Sequence, residues 1–343
     1  MAMTPEKFGE ENAMDRRECI IGLAAVGLSA TQAFGSTFPT RSPILSNGYP
    51  AGGSTDVASR LIIEGMAKEL DGYRMVVENR PGASGTVAAT WLTRQQPDGY
   101  SLLLSESSSF AIWPAMHETG VKYDPVQDFD WIATVCTAPM VLIVSPNFPA
   151  KTVKEAIELL RTPASAELNY SSSGVGSIPH IGAELLRTLA GPANQSRHVP
   201  YRGGAPAVLS VSTGETAWGV ASLGSATGLL NGGALRGLAV TSPNRFPLFP
   251  DIPTFRELGM PEMELNIYYL IQGPARLPAE VLAKLNKAGA ASLNQPVTRE
   301  RFLKAGMQAW DGPNTPESTR EIVMAENARF RSISQRTGLK IVT

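Results

Sequence analysis

Two long apolar passages constrain this chain more than anything else in it: "FDWIATVCTAPMVLIVSP" from Phe129 and "MELNIYYLIQGPAR" from Met263. The first is too long and too apolar for one surface strand, so it reads as a segment that passes from one domain into the next. Around these passages, short β-rich runs alternate with helical periods. "PILS", "YRMVVEN" and "YSLLLSE" read as strands, with helices between them starting near Thr55 and near Gly85. That order is the signature of βαβ units and a parallel, doubly wound sheet. In the first helix Ala58, Ile62, Met66 and Leu70 recur at steps of four, while Arg60, Glu64 and Lys68 form a row about 200° away. One face is buried and the other wet, with Arg60–Glu64 and Glu64–Lys68 pairs available.

After the first passage the alternation restarts: "VKEAIELLRT" helix, "LNYSSS" strand, "HIGAELLRTLAG" helix, "RHVPY" strand, "APAVLSVST" helix, then "AWGVAS" and "LRGLAVTS" as two strands. The second passage leads to an ending that is mostly helical. The expected architecture is α/β in two lobes, each a mainly parallel sheet flanked by helices, joined by two crossover strands. Residues 36–139 begin lobe 1, 140–260 form lobe 2, and 261–343 cross back to lobe 1. Such a chain makes a cleft between its lobes.

The N-terminus differs from the rest. "MDRRECIIGLAAVGLSATQAFGS" offers Arg16 and Arg17, an apolar stretch of about 12 residues and a small-residue pattern at Ala33-Phe34-Gly35, the layout of a secretory signal peptide. The stretch is short of the roughly 20 residues a spanning helix needs. Residues 1–35 are therefore read as a leader with a polar overhang before Met14, cleaved after Gly35 or, alternatively, at Thr31-Gln32-Ala33. The arginine pair also raises the twin-arginine route beside general secretion, with Asp15 and Glu18 as atypical acidic flanks. Of the two cysteines, Cys19 leaves with the leader, and Cys136 alone makes no internal disulfide. In "WIATVCTAPMVLIV" it reads as a small buried hydrophobe. Thirty Lys plus Arg balance thirty-one Asp plus Glu without a basic run, which disfavours nucleic acid as a partner.

The break at Tyr49-Pro50-Ala51-Gly52-Gly53-Ser54-Thr55-Asp56 carries chemistry. A strand feeds paired glycines and then a helix whose first N–H groups lack internal partners and carry the positive end of the macrodipole. A carboxylate or phosphate can sit on those donors without a Lys or Arg; an ordinary capped βα loop is the plainer reading. A matching stretch follows the strand in the second lobe, Ser171 to Ser177, with Ser173-Gly174-Val175-Gly176-Ser177 leading to a helix that has Pro179 in its first turn. Pro179 stands where a dinucleotide loop needs its third Gly, and no P-loop Lys follows, so a nucleotide is disfavoured. Ser107, Ser108 and Ser109 lie after the third strand at the carboxyl edge of the sheet, the usual ligand edge of such folds.

Catalysis finds little support. "VASLG" has Val220 where a nucleophile elbow requires Gly. His117, His180 and His198 show no metal-ligand spacing, so no metal or cofactor is expected. His180 reads either as a donor to a ligand or as a helix-packing residue, and His198 as structural.

The residues together resemble a family: the substrate-binding proteins of tripartite tricarboxylate transporters, or Bug receptors. The resemblance rests on "YPAGGSTDVASRL", "VVENRPGASGTVAA", "PDGYSLLL", "YDPVQDFDWIA", "VSPNFPAKTVKE", "YSSSGVGSIPHIGAELL", "HVPYRGGAPA", "LRGLAVTS", "FPDIPTFRELG" and "GPARLPAEVLAKLN", in this order over almost the whole mature chain. It implies a periplasmic, type II-like Venus flytrap that closes on a small organic acid and delivers it to a membrane permease. It also implies that the loops at Tyr49 to Asp56 and Ser173 to His180 hold the carboxylate through backbone N–H groups, hydroxyls and water. Many members have an Asp after the strand ending near Val220, able to pair with a ligand amino group; here Ala221 and Ser222 stand there. A plain mono- or dicarboxylate or an aromatic acid fits that better than an amino acid.

The resulting expectation is a monomeric, non-catalytic receptor. Tyr49 would wall the pocket, Tyr201 would face it from the other lobe, and both loops and the serine turn would carry contacts. Two further readings use the same cleft: a periplasmic sensor presenting its closed lobes to a signalling protein, and a serine-dependent hydrolase.

Overall fold

The computed structural model describes residues 38–342. The leader, both cleavage points and Cys19 fall outside them. The alternation anticipated in the first half is present: β1 (Ile44–Asn47), α1 (Ser54–Met66), β2 (Val76–Asn79), α2 (Thr86–Leu92) and β3 (Ser101–Glu106), with β1 parallel to both β2 and β3. Next come α3 (Trp113–Met116), β4 (Phe129–Val144), α4 (Val153–Leu160), β5 (Tyr170–Ser172), α5 (Ile178–Ala190), β6 (His198–Pro200), α6 (Gly204–Ser212), β7 (Trp218–Ser222), α7 (Leu223–Asn231) and β8 (Arg236–Val240). The chain ends through β9 (Asn266–Pro274), α8 (Ala279–Leu293), α9 (Pro296–Lys304), β10 (Gln308–Ala309) and α10 (Pro316–Thr337).

The first apolar passage is β4, a 16-residue strand buried at all but two positions. Burial on both faces is why it reads as an unbroken apolar run. From Phe129 to Pro139 it pairs antiparallel with β9; from Met140 to Val144 it pairs with β7 and β8. One strand therefore belongs to two sheets, β2-β1-β3-β9-β4 on one side and β4-β7-β5-β6 on the other. At the handover Pro139 brings no N–H to the ladder, and the Met140 N–H donates to Thr241 Oγ1 at 2.8 Å. Beyond it, Met140, Leu142 and Val144 face the main core while Val141 and Ile143 face a smaller one with Val208, Val211 and Phe246, the two-residue period of a strand.

Ala58, Ile62, Met66 and Leu70 are fully buried, as their spacing predicts. Each large apolar side chain among them contributes about 1.5–3 kcal/mol. The helix meets α8 at Gly65, where a Cβ would lie 2.2 Å from Ser292 Oγ. Ser292 uses that proximity to donate to the Ile62 carbonyl at 2.9 Å, which ties the C-terminal helices to the first sheet. The polar row differs from expectation: Arg60 pairs with Asp56, and Glu64 with Arg301 on α9, rather than with each other. α7 is a further difference. Its sequence, "LGSATGLLN", is rich in poor helix formers, yet burial of Leu223, Ala226 and Thr227 on one side supports a helix. Cys136 is fully buried with Sγ 4.0 Å from Met307 Sδ, and burial pushes its thiol well up. Among the described residues no helix is long and apolar enough to cross a membrane.

Candidate ligand-binding site

The paired glycines after β1 do open a helix without a side-chain cap. Gly53 holds the N-cap of α1 in an extended conformation, φ −81° and ψ 169°, and has no side chain to cap the first turn. Two other helices begin the same way nearby: α6, with Gly203 as N-cap, and α7, with Ser222. All three starts line one cavity of about 30 Å³, through Gly53, Ser54 and Thr55 on one side and Gly204, Ser222 and Ser225 on the other. At each start the first N–H groups lack partners within the helix and carry partial positive charge. Among the described residues no Lys, Arg or His lines this cavity, and the one carboxyl in its wall is Glu106.

Hydroxyls complete the wall. Tyr269, from the middle of β9, donates to Ser54 Oγ at 2.8 Å and lies 3.4 Å from Ser222 Oγ. Ser225 Oγ accepts from the Ser54 N–H at 3.3 Å. Tyr49 donates to Glu106, whose other oxygen accepts from the Ser108 N–H at 3.1 Å. Burial pushes the Glu106 carboxyl up, against the lowering effect of bonds from Ser108 and Tyr49. Burial and the Glu106 charge push the Tyr49 phenol well up, so it remains an O–H donor. Tyr49 and Ser173 also border a wider groove of about 570 Å³, lined by Ser84, Trp113, Gly174, Val175 and Tyr201.

The two halves meet tightly across this seam. Ser84 Oγ donates to the Val175 carbonyl at 2.7 Å, and the Ile178 N–H donates to Ser108 Oγ at 3.1 Å. These bonds join elements of the first sheet to the loop and helix start of the second, which describes a closed cleft.

Of the residues singled out from sequence, Tyr49, Gly53, Ser54, Thr55, Ser173, Ala221 and Ser222 line the cavity, and Gly174, Val175 and Tyr201 line the groove. Others support rather than line it. Ala51 and Gly52 are exposed at the loop's outer side. Asp56 accepts from the Gly52 N–H at 3.1 Å and from Arg60 and Asn79 at 3.0 Å each. Burial raises its carboxyl, but the bonds from Arg60, Asn79 and Gly52 outweigh this and leave it below its ordinary value. Ser107 Oγ accepts from the Tyr268 N–H at 2.9 Å, and Ser109 Oγ donates to the Glu106 carbonyl at 3.1 Å. With Ser108 holding Ile178, all three serines of that turn are engaged inside the protein.

The second loop is organised differently from the first. Ser177 caps α5 by accepting from the His180 N–H at 3.2 Å, and the Gly176 N–H donates to His180 Nδ1 at 3.2 Å. His180 stacks on His198 at 4.1 Å, and His198 Nε2 lies 2.7 Å from Ser172 Oγ. Burial, then the neighbouring His180, pushes His198 down to about 3. His180 is thus a packing residue beside the site. The Ser172–His198 pair lies outside the cavity lining, so it gives a hydrolase no nucleophile there.

Glu106, Gly204, Ser225 and Tyr269 escaped the sequence reading, with the apolar lining Pro179, Ala207, Val220 and Ile267. Only Gly204 left a local signal, since "VPYRGGAPA" repeats the strand, paired glycines and helix of the first loop.

Residues 58–339 match the family model described as tripartite tricarboxylate transporter family receptor, TctC. The chain is similar to the solved periplasmic binding protein BugD, with 29% identity, TM-score 0.83, and 88% of this chain and 99% of that one covered. It is similar to MatC from Rhodopseudomonas palustris with bound malate, at 28% identity and TM-score 0.81, covering 86% of this chain and 99% of that one. A second R. palustris protein, solved with adipate, aligns at 28% identity and TM-score 0.82, covering 89% of this chain and all of that one.

Proposed function

Because the chain belongs to the tripartite tricarboxylate transporter family of receptors, we propose that it captures a small organic carboxylate in the cleft and hands it to a tripartite membrane permease. The family is one of periplasmic solute-binding receptors, not enzymes. One observation carries the reading: three helix starts without side-chain caps converge on a cavity lined by hydroxyls and, among the described residues, by no cationic side chain. Backbone N–H groups and the positive ends of the helix dipoles suit a carboxylate there without a Lys or Arg. In this reading the first turn of α1 and the hydroxyls of Ser54, Ser222, Ser225 and Tyr269 meet the carboxylate. The groove beyond Tyr49 and Ser173 accommodates what the carboxylate is attached to.

Relatives with malate and with adipate make dicarboxylates the first class to try, with monocarboxylates beside them. Ala221 supports this choice over amino acids, since it offers no partner to an ammonium. The receptor acts as a monomer after export through the leader of residues 1–35. A thermal melt of the mature protein from Ser36 against mono-, di- and tricarboxylates, aromatic acids and amino acids tests the reading. A ligand at a hundred times its dissociation constant adds about 2.7 kcal/mol, and the acid should be recovered unchanged. A shift produced by amino acids alone, or turnover of the acid, would overturn it.

A further inference from the structure

Glu106 ends β3 inside the cleft, 5% exposed, and shares the cavity wall with the three helix starts. The titratable groups facing it are Tyr49 from the loop after β1, Tyr123 from the segment before β4, and Tyr269 from β9. Among the described residues no Lys, Arg or His acts on it. A cavity that takes a carboxylate therefore has a charge conflict. With both ionised, a solute carboxylate in the same small cavity would repel Glu106 through a medium that screens less than water, and affinity would fall.

A proton on Glu106 removes that repulsion and also changes Tyr49. A phenol has a single O–H. While Glu106 is ionised, the hydrogen of Tyr49 is committed to it. When Glu106 carries the proton, its own O–H donates to Tyr49 Oη, and the phenol O–H is released toward the cavity that Tyr49 also lines.

Resting on the carboxylate reading above, we propose that Glu106 is a proton-binding residue of the site: the cleft captures its solute together with one proton from water, held on Glu106, with the Tyr49 hydroxyl turned to the solute. Burial already favours the neutral carboxyl, and Tyr49 stays protonated throughout. Glu106 then acts as a donor through Tyr49 instead of as a competing anion.

Two measurements on the mature protein test this. Carbon-13 titration of the glutamate carboxyls, with E106Q identifying the signal, reads the proton in the absence of any solute. Glu106 should titrate well above the other glutamates, and titration among them would overturn the proposal. Calorimetry with malate, succinate, adipate and benzoate, in buffers of different ionisation enthalpy, reads proton uptake on binding. The expected result is affinity falling about tenfold per pH unit above the Glu106 titration point, with the slope lost in E106Q, whose amide donates at every pH. Binding without uptake or slope in the wild-type protein above the Glu106 titration point would overturn it, and these wild-type readouts suffice should E106Q fail to fold. If Glu106 titrates high but none of these acids binds, the proton site stands and the carboxylate reading falls. If only an amino acid binds and E106Q abolishes it, Glu106 holds an ammonium and the proposal is wrong.

Discussion

Removing one hydroxyl at the seam measures how far capture depends on closure. Ser84 Oγ makes its hydrogen bond across the cleft, to the Val175 carbonyl at 2.7 Å, and Ser84 does not line the inner cavity. A net hydrogen bond contributes about 1 kcal/mol, and here it exists only while the halves are together. Ser84→Ala keeps the Cβ, so the cost of the left-handed backbone at this position, φ 49°, is common to both proteins. The closed-to-open ratio should then fall about fivefold, and affinity for the carboxylate found in the melt should weaken by up to the same factor. Calorimetry gives the affinity, and small-angle scattering of the ligand-free protein gives the closed fraction. Ser196→Ala is the control: its Oγ donates to Ser165 at 3.2 Å, buried wholly within the second half, so a similar loss there lowers stability without touching capture. Equal affinities for wild type and Ser84→Ala, with unchanged scattering, would refute the link between this bond and closure.

Asp56→Ala should cost about 2–3 kcal/mol in denaturant melts, because it strips charge-assisted bonds from Arg60, Asn79 and the Gly52 N–H. The folded Asp56 titrates below its unfolded value, so its stabilisation is present above the unfolded value and is lost as pH falls through the folded one; the gap between wild type and variant should close at strongly acidic pH. His198 runs on the same logic at milder pH. Folded His198 stays neutral down to about 3, whereas the unfolded chain takes up a proton below about 6.5, so stability declines as pH drops through that window. His198→Phe keeps a ring for the stacks on Tyr170 and His180 and should show a smaller fall in melting temperature between pH 7 and 4.5; an equal fall would contradict the assignment.

The fold was legible wherever burial imposes a period. Ala58 to Leu70 read as a buried face because every fourth residue meets the core, and β4 read as a crossing because both of its faces are covered. α7 left no such trace, since its small polar residues gain helicity only from packing in place. The site was half legible. Paired glycines before a helix are a local signal, and Gly53 to Thr55 stand where that signal put them. A hydroxyl's partner, by contrast, is decided by what packs against it from far along the chain. Ser107, Ser108 and Ser109 looked like ligand contacts, yet the oxygens of the first two accept from the Tyr268 and Ile178 N–H groups and Ser109 donates to the Glu106 carbonyl. Glu106 and Tyr269 looked like strand residues, and only the meeting of β3 and β9 with three helix starts turns them into cavity wall.

β4 belongs to two sheets, and its ladder is interrupted between Pro139 and Met140. Because one backbone carries the ladders of both sheets, the two halves are joined inside the core itself, and any displacement of one against the other is passed to β4 where one ladder ends and the next begins.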